Sequence, residues 1–469
     1  MSEPLTISFQ GAARTVTGSR HLIRCGSRRV LFDCGLYQGR RDEAERINRT
    51  FDFEPGELDA AVVSHAHLDH TGNLPTLVAR GYRGAVHATP ATAELCGVLL
   101  PDSAFLMERD VEHVNRHRHH GEPQRTPLYS PADVDRTLER LVNHGYHDTW
   151  TLFENVRVTY LDAGHILGSA FTLIDVESEG RRLRLGMSGD VGRAGRPILR
   201  DPESASGVDV LVMECTYGDR EHPAAAETVR QLGEVVERTL GRGGRVLIPA
   251  FAVGRTQELV ATLHDLMSRK IVREAPIYVD SPMAWRATQA YRHHPECFDD
   301  ATRRAFEERD GEPFGFDRLH YVVTVEQSRA LNERRAPCIV IAASGMCEGG
   351  RILHHLQHGL PEARNTVLFV GFQAEGTLGR RLRDGMSPVN IFGEPIERRA
   401  EVVALDGFSA HADQRELLAW VAMLKPAPRA IYLVHGEPGP AEALAGRLRE
   451  RFPSEVRIPR RGEEFSLWN

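Results

Sequence analysis

The stretch that most constrains this chain is Ser64-His65-Ala66-His67-Leu68-Asp69-His70-Thr71-Gly72-Asn73. It follows a short apolar run at 59–63 that reads as a buried strand, and it precedes 74–82, which reads as a helix. Three imidazoles and a carboxylate therefore crowd a strand-to-helix turn, where ligand sites of α/β proteins usually lie. In an extended segment His65 and His67 point to one side and reach one ion, whereas Asp69 and His70 come after the turn and face a second. Neutral imidazole with carboxylate suits zinc, a borderline-soft ion that accepts nitrogen and oxygen. A polar loop whose histidines only hydrogen-bond would account for a lone His-x-His. It accounts poorly for four ligand-type residues within six positions.

At 469 residues the chain exceeds one ordinary core, so two or more domains are expected. No apolar run approaches the ~20 residues that a membrane helix needs. The opening MSEPLTISF has no basic region followed by an apolar core and is not read as a signal peptide. The seven cysteines (25, 34, 96, 215, 297, 338 and 347) are odd in number and form no C-x-x-C pair, which suits reduced thiols in a cytoplasmic chain. A net charge of -7 excludes an overall basic coat but leaves room for a locally basic groove. Positive charge is almost all arginine, with Lys270 and Lys425 the only lysines; arginine grips phosphate in bidentate fashion, but codon bias explains the skew equally well.

Residues 5–9, 21–25 and 29–32 read as strands, and Asp33 closes the last of them. Residues 91–147 read as mostly helical, and the histidine-rich piece at 113–120 reads as a solvated helix end rather than a ligand cluster. The strand at 156–161 runs into His165, and that at 183–187 runs into Asp190. From about 207 apolar runs at 208–213, 245–248, 276–279, 338–341 and 367–370 alternate with helical segments, the texture of a parallel sheet with crossover helices. After Glu401 one more strand leads to His411, and the strand at 430–434 ends in His435. The expected organisation is thus a first domain at 1–206, an inserted parallel-sheet domain at 207–400, and a return to the first domain at 401–469.

Collected, His65, His67, His165 and Asp190 are candidates for one ion, and Asp69, His70, His435 and a bridging Asp190 for another. Two such ions activate a shared water and stabilise the oxygens of an in-line displacement, which suits phosphodiester or acyl hydrolysis. His411 and Glu214 remain as non-ligands that could protonate a leaving oxygen, although singly a turn histidine and a helix cap explain them as well.

HAHLDH with His165, Asp190 and His435 resembles the metallo-β-lactamase superfamily. Glu214 in MECTYGDR, His411 in FSAHAD and His435 in VHGE resemble the extra motifs of its beta-CASP branch, the nucleic-acid-processing nucleases. GAARTVTGS (11–19), PAFAVGRTQE (249–258), DSPMA (280–284), SGMCEGGRILHHL (344–356) and GFQAEGTLGRRL (371–382) match it too. The resemblance implies an α/β fold, an αββα metallo-β-lactamase sandwich with an inserted parallel-sheet beta-CASP domain and the active site in the cleft between them. It assigns Asp33 to orienting the site and His411, assisted by Glu214, to proton donation. It places Arg255, Ser344, Gly345 and Arg351 near substrate phosphates, although SGMCEGG is equally a tight structural turn. Cys215 stands where many relatives have serine, and His435 favours the RNA-processing side over the DNA-repair members.

The resulting expectation is a cytoplasmic, two-zinc ribonuclease that leaves 5′-phosphate and 3′-hydroxyl ends on single-stranded RNA. Asp69 would help hold or deprotonate the attacking water. Endonuclease and 5′-exonuclease action both stay open, as does action on DNA. The chain begins near its first strand and ends near its last, so no appended RNA-binding module is expected, and a homodimer would form through these two domains. The alternatives are a hydrolase of a small ester, thioester or lactam, which an inserted domain does not require, and a silent RNA-binding subunit, which would not keep every ligand.

Overall fold

The computed structural model describes residues 4–117, 124–308, 314–374 and 376–468. It divides into two compact units, one of Met1–Ala194, Arg200–Glu221 and His411–Asn469, the other of Gly195–Leu199 and His222–Ala410.

The first unit is the αββα sandwich. One seven-stranded sheet contains Leu5–Gly11, Arg20–Cys25, Arg28–Phe32, Ala60–Val62 and Ala85–Ala88, and the other contains Val156–Asp162, Ala170–Ser178, Arg181–Met187, Val210–Glu214 and Ala430–Val434. Alternation along the strands sorts side chains between two layers. Ile7, Phe9, Phe32 and Val62 meet Val158, Tyr160, Leu185, Val212 and Val434 in a buried core between the sheets. On the far face of the first sheet Leu31, Ala61 and Val63 pack on Leu74, Leu77 and Val78 of the helix Leu74–Ala79. On the far face of the second, Leu211, Met213 and Leu433 pack on Leu417, Trp420 and Leu444 from the helices Gln414–Met423 and Pro438–Arg451.

The second unit is built on a six-stranded sheet in which every pairing is parallel, in the order Leu319–Tyr321, Ile277–Asp280, Cys338–Ala342, Arg245–Pro249, Thr366–Phe369, Glu401–Ala404. Both faces are covered, as parallel sheets require. Val246, Ile248, Ile339 and Ile341 pack on one side with Leu259 and Leu263, and Leu247, Val340 and Phe369 on the other with Ile352 and Leu356.

Two strands sit in the opposite sheet from the one expected. Val210–Glu214 pairs in parallel with both Arg181–Met187 and Ala430–Val434 in the first unit, whereas Glu401–Ala404 pairs with Thr366–Phe369 in the second. A fully buried strand such as VLVME fits the middle of either sheet, so its run of Val210 to Met213 does not say which one it joins. The contact boundaries accordingly fall at 194–200, 221–222 and 410–411. Of the histidine-rich tract, His113 and His117 are exposed at the end of the helix Pro90–Arg116, and 118–120 lie outside the described residues. No helix among the described residues is long and apolar enough to cross a membrane.

Candidate metal centre

Each ligand candidate of the first unit stands just past a strand. Asp33 follows Arg28–Phe32, the His65–His70 turn follows Ala60–Val62, His165 follows Val156–Asp162, Asp190 follows Arg181–Met187 and His435 follows Ala430–Val434. Asp33 and His435 both take the left-handed backbone, at φ 57 and φ 50, a conformation that costs of order 1–3 kcal/mol in a residue with a Cβ. Two glycines allow the loops to close on one another. A Cβ on Gly35 would lie 1.6 Å from the Asp69 carbonyl oxygen, and one on Gly192 would lie 1.8 Å from that of Gly164.

The first cluster joins His65 Nε2, His67 Nδ1, His165 Nε2 and Asp190 Oδ2. His67 Nδ1 is 3.1 Å from His65 Nε2 and 3.2 Å from His165 Nε2. Asp190 Oδ2 is 3.4 Å from His65 Nε2 and 3.5 Å from His165 Nε2. The second joins His70 Nε2 to His435 Nε2 at 3.1 Å, with Asp69 Oδ2 3.4 Å from His435 and Asp190 Oδ1 3.3 Å from His70. Asp190 thus turns one oxygen to each cluster, as expected of a bridge.

These donors fit a cation better than they fit one another. Asp190 is 1% exposed, and no well-aligned hydrogen bond reaches either of its oxygens. A buried carboxylate left so is costly, and imidazole nitrogens that converge at about hydrogen-bond distance need a proton or a metal between them. Burial holds His65 and His165 well below their ordinary pKa and lowers His67 to about 4, so these rings keep free lone pairs. Burial works against charge on His70 too, but Asp190 and Asp33 outweigh it and raise the ring well above its usual value. Asp190 and Asp69 stay below the carboxylate range despite burial, Asp190 through His435 and His70, Asp69 through its hydrogen bond with His435.

Asp33 is buried and accepts from the Ser64 backbone N–H at 2.8 Å and lies 2.7 Å from His70 Nδ1, which leaves Nε2 turned to the cluster. Two residues not singled out from the sequence do similar work. Ser64 Oγ lies within 3.3 Å of Asp33, His65 and His70, and Thr216 Oγ1 is 3.1 Å from His435 Nδ1. Both sit inside quoted motifs, but a hydroxyl carries no signature until its neighbour in space is known.

His411 lies beside this centre, with a side chain 20% exposed and its ring 4.5 Å from that of His165. Its Nδ1 is 3.1 Å from Glu214 Oε1 and 3.9 Å from Asp190 Oδ2. Glu214 is wholly buried, not a cap at a helix surface, and it also accepts from the Val191 N–H at 2.7 Å. Burial opposes charge on His411, yet Glu214 and Asp190 prevail and push the ring up to about 9. Cys215, next in sequence, is buried with Sγ 3.1 Å from the Val434 carbonyl and takes no part in the cluster.

The remaining candidates belong to the second unit. Ser344 and Gly345 follow the strand Cys338–Ala342, and Ser344 Oγ accepts from the Glu348 N–H at 3.1 Å. Arg255 opens the helix Arg255–Ser268 and pairs with Glu258. Arg351 Nη1 donates to Asp280 at 2.7 Å and to the Val322 carbonyl at 3.0 Å, and Nη2 donates to the Val323 carbonyl at 2.9 Å.

Three family models match the chain: the metallo-beta-lactamase superfamily over 18–154, the Beta-Casp domain over 256–382, and the Zn-dependent metallo-hydrolase RNA specificity domain over 395–459. The chain is 42% identical to "Ribonuclease TTHA0252" of Thermus thermophilus, over 97% of its own length and 98% of that protein's. It is 32% identical to "Transcription termination factor FttA" of Methanocaldococcus jannaschii, over 97% of its own length and 70% of that protein's. A crystal structure of a protein of unknown function from Enterococcus faecalis V583 shares the fold, with a TM-score of 0.55 at 15% identity over 99% of this chain and 100% of that one. With the paired His/Asp clusters of its sandwich unit, these matches make the chain a metal-dependent hydrolase that belongs to the beta-CASP branch of the metallo-β-lactamase superfamily.

Proposed function

We propose that this protein is a ribonuclease that uses two zinc ions to hydrolyse phosphodiester bonds of single-stranded RNA, leaving 5′-phosphate and 3′-hydroxyl ends. The observation that carries the reading is Asp190, whose two unpartnered oxygens each face a separate imidazole cluster. The ribonuclease relative, 42% identical over nearly the full length of both chains, supports RNA as the substrate.

A zinc pair supplies an activated water and positive charge for the attacking and leaving oxygens. His65, His67 and His165 would hold one ion and Asp69, His70 and His435 the other, with Asp190 able to offer one oxygen to each. Asp69, whose side chain is 19% exposed, would position the water and accept its proton. His411 gives a proton to the departing oxygen; Glu214 fixes its Nδ1 and so determines which ring nitrogen faces the substrate. Asp33 sets the His70 ring through Nδ1. The Ser344 hydroxyl, the Gly345 backbone and the Arg255 guanidinium meet substrate phosphates. Arg351, which ties Asp280 to the Val322 and Val323 carbonyls, stands beside them as a further phosphate contact.

The test is digestion of RNA labelled at either end, with 5′-phosphate and 5′-hydroxyl versions compared and the zinc content measured. Zinc-dependent products with 5′-phosphates support the reading, and internal fragments distinguish endonuclease from 5′-exonuclease action. A protein that holds two zincs yet leaves RNA intact overturns it.

A further inference from the structure

The parallel sheet of the second unit displays two aromatic rings at the carboxyl ends of its strands, the edge at which open α/β sheets bind ligands. Phe251 follows Arg245–Pro249 and Phe372 follows Thr366–Phe369; they are 49% and 54% exposed. A single exposed phenylalanine is ordinary. These two are held in fixed loops against the same turn. The Phe251 ring lies on Gly345, so near that a Cβ there would sit 3.2 Å from its edge atoms. The Phe251 carbonyl accepts from Thr256 Oγ1 at 2.7 Å, and Gln257 Nε2 donates to the Ala252 carbonyl at 3.1 Å. On the other side Gln373, 2% exposed, donates from Nε2 to the Gly345 carbonyl at 2.9 Å and to the Gly371 carbonyl at 3.2 Å. Its buried amide therefore ties the Phe372 loop to the turn that Phe251 covers.

Keeping two rings in water works against the hydrophobic effect unless something covers them. The turn between their loops presents the Gly345 backbone against the Phe251 ring. Flat rings beside a glycine turn suit bases, which stack on any aromatic face whatever their identity.

We propose that Phe251 and Phe372 form a base-stacking subsite for single-stranded RNA, on either side of the Gly345 turn. This rests on the ribonuclease reading and adds to it: phosphates are met by the turn, bases by the rings. The subsite grips the strand without reading its sequence.

The test compares two probes on the zinc-loaded full chain, a hydrolysis-resistant phosphorothioate RNA strand of mixed sequence and a phosphorothioate strand of equal length without bases. The unaltered protein is expected to favour the base-bearing strand. Phe251→Ala and Phe372→Ala should each weaken that binding roughly tenfold and leave the abasic strand alone, whereas Phe251→Trp and Phe372→Trp keep the preference. Melting curves confirm that the variants fold. Alanine variants that retain the full preference overturn the subsite, as does a change in oligomeric state on sedimentation with RNA affinity unaltered, which would assign the rings to a second copy of the chain. Failure of the unaltered protein to bind or cut any RNA strikes at the ribonuclease reading itself.

Discussion

Asp33 Oδ2 lies 2.7 Å from His70 Nδ1, and both side chains are buried. That single contact sets which nitrogen of the ring is offered to the second cluster. Asp33→Ala is expected to lower metal affinity there by roughly 10–100-fold. Zinc titration of the variant should show one tight and one weakened site, where the parent is expected to show two tight ones.

His411→Ala should retain both metals, because Glu214 engages the ring and neither the His65, His67, His165 and Asp190 set nor the Asp69, His70 and His435 set includes it. Loss of a positioned proton donor costs roughly 10²–10⁴-fold in rate. Glu214→Gln should cost less, since its oxygen still accepts from the Val191 N–H. Rates of RNA cleavage at saturating substrate, with zinc content measured in the same samples, check both.

Chelation should lower the melting temperature by roughly 5–15 °C, because ions that bind only the folded state stabilise it by mass action. Returning zinc should restore it. Asp190→Asn removes the charge that both clusters share, so its melting temperature should respond far less to zinc.

Asp162 supplies a pH prediction. Its carboxyl is 3% exposed, and burial pushes it up to about 7 against the Gly164 N–H that it accepts at 2.9 Å. Between about pH 4 and 7 the folded chain keeps a proton that the unfolded chain has released. Unfolding free energy from this group is therefore greatest below pH 4, falls as pH rises through that window and levels off above it, on the order of 3–4 kcal/mol in all. Asp162→Asn should flatten stability against pH over the window, as followed by denaturant melts.

Gly35→Ala puts a methyl 1.6 Å from the Asp69 carbonyl oxygen, an atom of the backbone that cannot swing aside. The Asp69–His70 turn must shift, at about 1–3 kcal/mol or more. Zinc binding at the second cluster should weaken along with the melting temperature, whereas His65, His67 and His165 keep theirs.

The side chains that converge in the two clusters were legible in the sequence because each is a ligand-type residue just past an apolar run, and a strand end is a fixed point in space. The supporting hydroxyls of Ser64 and Thr216 were not, since serine and threonine serve equally in turns and caps. Strand membership was also beyond reach at 210–214 and 401–404: hydrophobic alternation reports which faces are buried, not which neighbour supplies the hydrogen bonds. Arg351 shows the same limit. The resemblance placed it near substrate phosphates, and its pairing with Asp280, remote in sequence and adjacent in space, was not readable from the chain.

The strand Ala430–Val434 is the last of its sheet's inner members to be synthesised, and it delivers His435 only after the entire inserted unit has been translated. A nascent chain still growing through that insert has only Asp69, His70 and Asp190 of the second donor set. That set is therefore completed late in synthesis, when the returning segment brings His435 beside His70.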